Sequence, residues 1–154
     1  MQCRARRGHG TTPVPGAYIL LLRLDTDGET EVGRLGRVAF PAGWYAYVGS
    51  ARSGLEQRVG RHLRGDGKKH WHIDHLRGMA DHVEALVLPT SEDIECQLSA
   101  VVGSLGGAEG YKGFGCSDCR CWTHLHRLPL ASVERLRKVV ADMRTDAPGK
   151  RSPG

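Results

Sequence analysis

The sequence predicts an α+β fold, a small central and largely antiparallel sheet flanked by helices, on three observations. An apolar run from Ala17 to Leu24 opens the ordered part, and a short aromatic strand, Trp44 to Val48, follows it. Gly- and Pro-rich turns separate these extended segments. Later stretches place apolar residues at helical spacing. At 154 residues the chain is long enough for one domain with its own core.

Taken in order, residues 1–15, rich in Arg, Gly, Thr and Pro, read as a flexible basic arm. Arg4, Arg6 and Arg7 come with no apolar core, unlike a secretory signal. Ala17 to Leu24 reads as a buried strand ending in Asp25-Thr26-Asp27-Gly28, a hairpin signal. A second extended segment, Glu31 to Phe40, is broken by Gly33 and Gly36, and Pro41-Ala42-Gly43 turns the chain into Trp44 to Val48. This opening is expected to form an antiparallel meander.

Leu55, Val59 and Leu63 then mark the apolar stripe of a helix from Gly54 to Arg64, stopped by Gly65-Asp66-Gly67. At about 100° per residue, His62 falls about 60° and Arg58 about 100° from the stripe's centre, while Arg61 and Arg64 point away. Arg58 and His62 therefore stand one turn apart at the boundary of core and solvent. Trp71 to Met79 reads as a short helix and His82 to Leu88 as a strand. Thr90-Ser91-Glu92-Asp93 offers an N-cap with acids in the first turn, and Ile94, Leu98, Val101, Val102 and Leu105 mark the helix behind it. Glu95, in its second turn, lies about 80° from that stripe, again at a boundary. A Gly-rich loop (103–115), a Cys cluster, a strand from Trp122 to Leu128 and a helix on Val133, Leu136, Val140 and Met143 complete the single domain, 16–144. Residues 145–154 read as a disordered tail.

A net charge of +5 and a pI near 9.1 favour a polyanionic partner, although ordinary surface charge explains them equally well. No apolar run approaches the ~20 residues of a membrane span, so no membrane partner and a cytoplasmic location are expected. Of the five cysteines, Cys116, Cys119 and Cys121 crowd together; reduced thiols fit better than a disulfide framework.

Four features recur in a telling order: Gly16-Ala17-Tyr18 on the first strand, Tyr47-Val48-Gly49-Ser50-Ala51 on the aromatic strand, Arg58 four residues before His62, and Glu95 on a later helix. This order resembles the GIY-YIG nucleases, named for the two strand motifs. The phrases Tyr45-Ala46-Tyr47-Val48-Gly49-Ser50-Ala51, Arg58-Val59-Gly60-Arg61-His62-Leu63, His70-Trp71-His72-Ile73-Asp74-His75-Leu76, Glu95-Cys96-Gln97-Leu98 and Gly113-Phe114-Gly115-Cys116-Ser117-Asp118-Cys119-Arg120-Cys121 resemble its DUF123, or Uri-type endonuclease, branch more closely. They span about residues 16–128.

The resemblance implies a metal-dependent DNA endonuclease, and leaves open whether RNA is also a substrate. Hydrolysing a phosphodiester needs an activated water, charge stabilisation at phosphorus and help for the leaving oxygen. By resemblance, Glu95 anchors Mg²⁺ or Mn²⁺, which such sites hold through one or two carboxylates plus waters and phosphate oxygens. Arg58 clamps a phosphate oxygen. His62 orients water or phosphate, and Tyr18 is the general base, Arg58 and the metal favouring its phenolate. Tyr47 supports Tyr18 by hydrogen bonding, although Tyr45, two residues away on the same face, is an alternative. Gly16 and Gly49 allow close backbone approach. Ser50, Arg52, Arg61, Arg64, Lys68, Lys69, His70 and His72 are the candidate DNA contacts.

Each assignment has a plainer counterpart. A strand tyrosine is usually core, a helix arginine usually a solvated face, and a helix glutamate usually compensates a dipole. His72 and His75 are open to two readings, as ligands or as capping, core or phosphate-facing groups. Cys116, Cys119, Cys121 and His124 offer Zn²⁺ ligand types, but four within nine residues is tight, and a thiol-lined loop is the preferred reading. Two departures from the simpler GIY-YIG pattern stand out. The long Gly16-to-Tyr47 separation implies an inserted β-segment, and the asparagine that many members carry after the glutamate has no counterpart, since the chain contains no Asn. A non-catalytic nucleic-acid-binding module and a zinc-stabilised interaction protein are the rival functions.

Overall fold

A computed structural model describes residues 14–65, 71–115 and 121–145. It has strands β1 (Gly16–Leu24), β2 (Gly28–Glu31), β3 (Arg37–Phe40), β4 (Gly43–Ala51), β5 (His82–Pro89), β6 (Glu109–Gly110) and β7 (Leu125–Leu128). Its helices are α1 (Leu55–Arg64), α2 (His72–Arg77), α3 (Glu95–Gly103) and α4 (Leu130–Thr145). The expected α+β class is the one formed. Five strands make an antiparallel sheet in the order β5-β1-β4-β7-β6, and β2 and β3 form a separate two-stranded ribbon.

β1 is apolar along almost its whole length because it lies inside this sheet, between β5 and β4, with both faces covered. On one face Tyr18, Leu20, Leu22 and Tyr45 pack with Leu55 and Val59 of α1, Ile73 and Leu76 of α2, and Phe114. On the other, Ile19, Leu21, Ala46 and Val48 pack with Leu98 and Val102 of α3 and Val133, Leu136 and Val140 of α4. A site on an open side of the sheet is therefore corrected: helices cover both faces, and the cleft opens at one end of the β1–β4 pair, beside Gly16, Ser50 and Ala51. Among the described residues no helix is long and apolar enough to cross a membrane.

The opening is not a meander. β1 pairs directly with β4, Gly16 opposite Ala51 and Leu24 opposite Gly43, and with β5 on its other edge. Asp25-Thr26-Asp27-Gly28 therefore does not fold β1 back on its successor. Asp27 accepts a hydrogen bond from the Ala42 N–H (2.8 Å), closing the base of the excursion that carries β2 and β3. This is the inserted β-segment that the long motif spacing implied. The expected strand 31–40 is interrupted by a 3₁₀ turn, Gly33–Leu35, where Gly33 and Gly36 take positive φ (47° and 76°).

Element ends account for two further corrections. α1 stops at Gly65 as expected, with φ 71° and its N–H on the Arg61 carbonyl. α3 begins at Glu95, not at the Thr90–Asp93 cap: Thr90 Oγ1 instead accepts the Glu92 N–H (3.1 Å) inside a loop, and Ile94 is the N-cap residue. Glu95 is thus the first helical residue, at the end where the helix dipole favours an anion. The expected strand from Trp122 starts only at Leu125.

Candidate active site

The site is assembled from the β1–β4 pair, α1, the start of α2 and the N-terminus of α3. Gly16 and Gly49 sit where chains cross closely. A Cβ at Gly16 would lie 2.7 Å from both the Leu88 carbonyl oxygen and a Leu55 methyl, and one at Gly49 would strike the Tyr18 ring. Tyr18, opposite Gly49 in register, uses the space that glycine leaves.

The Tyr18 hydroxyl meets His62 Nε2 at 2.9 Å. The third position of the α1 stripe is His62, at 1% exposure, while Leu63 is 40% exposed. The boundary position predicted for His62 is corrected accordingly. Its pocket is polar on one side: Nδ1 lies 4.0 Å from Asp74 Oδ1, beyond hydrogen-bond reach, and the tautomer with its proton on Nδ1 is the one in which Nε2 accepts the tyrosine proton. Burial drives the His62 pKa down to about 4, against the opposing pull of Asp74, so the imidazole stays neutral.

Arg58 is half-buried and bridges several partners. Its Nη1 donates to the Ser50 carbonyl (3.1 Å), and its Cζ lies 4.6 Å from the centre of the Trp71 ring. Arg61 also lies 4.6 Å from that ring and pairs with Asp74 at 3.0 Å. Asp74 further accepts the Trp71 N–H (2.9 Å) at the start of α2. Arg61 is thus engaged within the fold rather than standing as a plain surface contact.

Ser50 Oγ donates to Glu95 Oε1 (2.7 Å), and Glu95 Oε2 lies 3.0 Å from His124 Nδ1. Burial pushes the Glu95 pKa up, but the hydrogen bonds from His124 and Ser50 and the charges of His124 and Arg58 outweigh it, leaving the carboxyl below its ordinary range. Arg58, Ser50, Glu95, Arg52, Gly16 and His124 line one solvent-open cleft of about 480 Å³. The structure thus brings Tyr18, Arg58, His62 and Glu95 into one connected network, with Ser50 as the link between arginine and carboxylate.

The tyrosines depart from expectation. Burial raises the Tyr18 pKa to about 12 even though Arg58, by charge and hydrogen bond, pulls it down, so the resting side chain is a phenol rather than the expected phenolate. Tyr18 is 2% and Tyr47 7% exposed. The expected Tyr47–Tyr18 hydrogen bond is not the one formed; Tyr18 turns to His62, and Tyr47 packs edge-on against Phe114. Tyr45 donates to the Pro41 carbonyl (2.5 Å), away from the cleft.

Among the remaining candidates, Ser50 and Arg52 line the cleft. Arg64 is exposed at the end of α1. His72 is committed to the fold: its Nδ1 accepts the Gly115 N–H (2.9 Å), its ring lies against Phe114, and burial lowers its pKa. Lys68, Lys69, His70, Cys116 and Cys119 lie outside the described residues. The expectation of reduced thiols is corrected at one pair, since a disulfide joins Cys96 to Cys121. Among the described residues, the cluster of ligand-type side chains that forms is Cys96, Cys121 and His124, with ligand atoms within 4.8 Å of one another.

Two partners escaped the sequence reading. Asp74 was hidden in a histidine-rich phrase, its one local signal being the three-residue spacing from Trp71 that suits an N-terminal cap. His124 was noticed only as a metal-ligand type, with nothing local to pair it with Glu95.

Residues 17–145 match the family described as "Domain of unknown function DUF123". The chain belongs to the DUF123 family. That family is GIY-YIG-like, which agrees with the placement of the DUF123 strand motifs on adjacent strands β1 and β4. No curated protein and no solved structure matches this DUF123 chain.

Proposed function

We propose that the protein is a metal-dependent DNA endonuclease of the Uri-type branch, working in the cytoplasm. The observation that carries this reading is the junction of Arg58 and Glu95 through Ser50 at one open cleft, with Tyr18 and His62 directly behind the arginine. A cation and an anchored carboxylate facing one hollow suit a phosphate and the metal that accompanies it.

Glu95 fits a hard divalent ion. Each of its oxygens has one protein partner, leaving further lone-pair positions, and its side chain is 24% exposed. Glu95 would hold Mg²⁺ or Mn²⁺, which supplies Lewis-acid stabilisation of charge building on the phosphate. Arg58 binds a non-bridging oxygen; its fork is pre-set by Trp71 and the Ser50 carbonyl. Because burial keeps Tyr18 protonated, it acts as a base by relay: its oxygen takes the proton of the attacking water as its own proton passes to neutral His62 Nε2. Asp74, 4.0 Å from Nδ1, stabilises the imidazolium that results.

The test is cleavage of linear, branched and damaged DNA, and of RNA, with Mg²⁺ or Mn²⁺. Arg58→Ala and Glu95→Gln are each expected to lose roughly 10²–10³-fold in rate, the usual cost of one transition-state contact. Tyr18→Phe should lose the relay while keeping DNA affinity. Absence of cleavage on every substrate, or full activity in Arg58→Ala, would sink the reading. Salt-dependent DNA binding without cleavage under either metal would point instead to a non-catalytic binding module, a rival motivated by the missing Asn.

A further inference from the structure

In the wall of the same cleft, where Cys96 and His124 join its lining, lies a second cluster that the nuclease reading does not use. Cys96 follows Glu95 in the first turn of α3 and is exposed; Cys121 is half-buried; His124 is buried. The His124 backbone is fixed on both sides, its N–H on the Phe114 carbonyl (3.0 Å) and its carbonyl receiving the Val48 N–H (2.9 Å). Its ring is fixed as well. Nδ1 faces Glu95 Oε2 at 3.0 Å, and Nε2 faces Cys96 Sγ at 3.8 Å. This is the arrangement in which a metal-bound histidine is oriented: a carboxylate accepts a hydrogen bond from one ring N–H, and the other nitrogen presents its lone pair to the ion.

We propose that Cys96, Cys121 and His124 form a zinc site, filled when the two cysteines are thiolates, with Glu95 as the carboxylate that orients His124. Two soft thiolates and an imidazole select Zn²⁺ over Mg²⁺ or Mn²⁺. Around a tetrahedral zinc a sulfur and a nitrogen ligand lie about 3.5 Å apart, given bond lengths near ~2.3 and ~2.0 Å. The 3.8 Å between His124 Nε2 and Cys96 Sγ is within a few tenths of an ångström of this edge. The fourth position is left to a water, and the exposure of Cys96 gives the ion its entry path. Glu95 thus stands between two kinds of metal, supporting the soft one through His124 and facing the cleft with its remaining lone pairs.

The zinc site and the Cys96–Cys121 disulfide exclude one another. A phosphine reductant opens the disulfide: phosphorus gains the oxygen of water, and each sulfur gains one proton. Zinc then displaces those two protons as it binds both sulfurs. Two-electron oxidation of the thiolates by a disulfide reagent releases the ion and restores the bond.

The test begins with purified full-length protein, reduced with phosphine and freed of metal, then loaded with Zn²⁺ or Co²⁺. About one equivalent of zinc by mass spectrometry is expected, and cobalt should show the thiolate charge-transfer and intense visible bands of a tetrahedral site. Oxidised protein should bind neither. Cys96→Ser and His124→Gln should each lose the bound ion, and Glu95→Gln should keep it with affinity roughly 10–100-fold weaker. Should a variant fail to fold, the wild-type chain still decides: zinc must protect Cys96 and Cys121 from alkylation, read peptide by peptide. A full equivalent of zinc in Cys96→Ser would place the ion on Cys116, Cys119, Cys121 and His124 and overturn the proposal. Equal alkylation of Cys96 with and without zinc, or no zinc uptake by the reduced protein, would overturn it too. These readouts do not involve cleavage, so they stand or fall separately from the nuclease reading.

Discussion

Replacing His62 by glutamine should flatten the acid side of the stability curve by a calculable amount. Burial holds the folded-state pKa of His62 at about 4, against 6.5 in an unfolded chain. The unfolded state therefore binds more protons between those values. Stability is greatest above pH 6.5 and falls as the pH drops toward 4. At pH 5 the cost is RT ln[(1 + 10^(6.5−5))/(1 + 10^(4−5))], about 2 kcal/mol, against about 0.2 kcal/mol at pH 7. His126, buried against Ser99 and also held at about 4, adds a similar slope that the substitution leaves in place. The difference between wild type and His62→Gln isolates the one residue. Urea unfolding followed by tryptophan fluorescence at pH 7 and pH 5 measures it; Trp71, with its ring 5.8 Å from that of His62, is a nearby reporter. Glutamine can still accept the Tyr18 hydroxyl, so the fold should survive. The stability gap between the two proteins is expected to move by about 2 kcal/mol in the variant's favour on going from pH 7 to pH 5. Parallel pH profiles, or an imidazole that titrates near its ordinary value by NMR, would refute the buried neutral histidine and with it the relay from Tyr18.

Two further outcomes follow from contacts at the cleft. Gly49→Ala should destabilise the protein by about 1–3 kcal/mol in denaturant titration, because the new methyl meets the Tyr18 ring on a strand paired with β1 along its whole length, and it should displace the tyrosine from His62. Ser50→Ala removes the hydroxyl held by Glu95 Oε1 and should cost about 1–2 kcal/mol at pH 7; the loss should shrink as acid protonates a carboxyl whose folded pKa lies below its ordinary value.

Much of this architecture was readable where one-dimensional signals are strong. The unbroken apolar run of β1 announces a strand covered on both faces, and Gly65 ends α1 where its left-handed backbone is needed. Arg58 was placed at a boundary by angle alone, and there it is. What the pattern could not settle was competition between neighbours. Leu63 and His62 both fit the α1 stripe to within a fraction of a turn, and the histidine wins because Tyr18 and Asp74, distant in sequence, supply it with polar company. The Asp-Gly turn after β1 is a local signal, while the choice of β4 and β5 as partners is made by burial across the whole sheet. Glu95 was found by motif order, but its place at a helix start was not, because Thr90 spends its hydroxyl on a loop turn. Its pairing with His124, 29 residues on, leaves no trace in either segment.

The strand that leads the described chain is also an interior strand of the sheet, between β5 and β4. Its two edges are completed by residues as late as Ala51 and Pro89, so a growing polypeptide must carry a nine-residue ribbon of mostly Leu, Ile and Ala through a long interval with unmet backbone groups. That interval is where sticking to other nascent copies would begin, and it makes the yield of active protein sensitive to synthesis rate and temperature rather than to final stability alone.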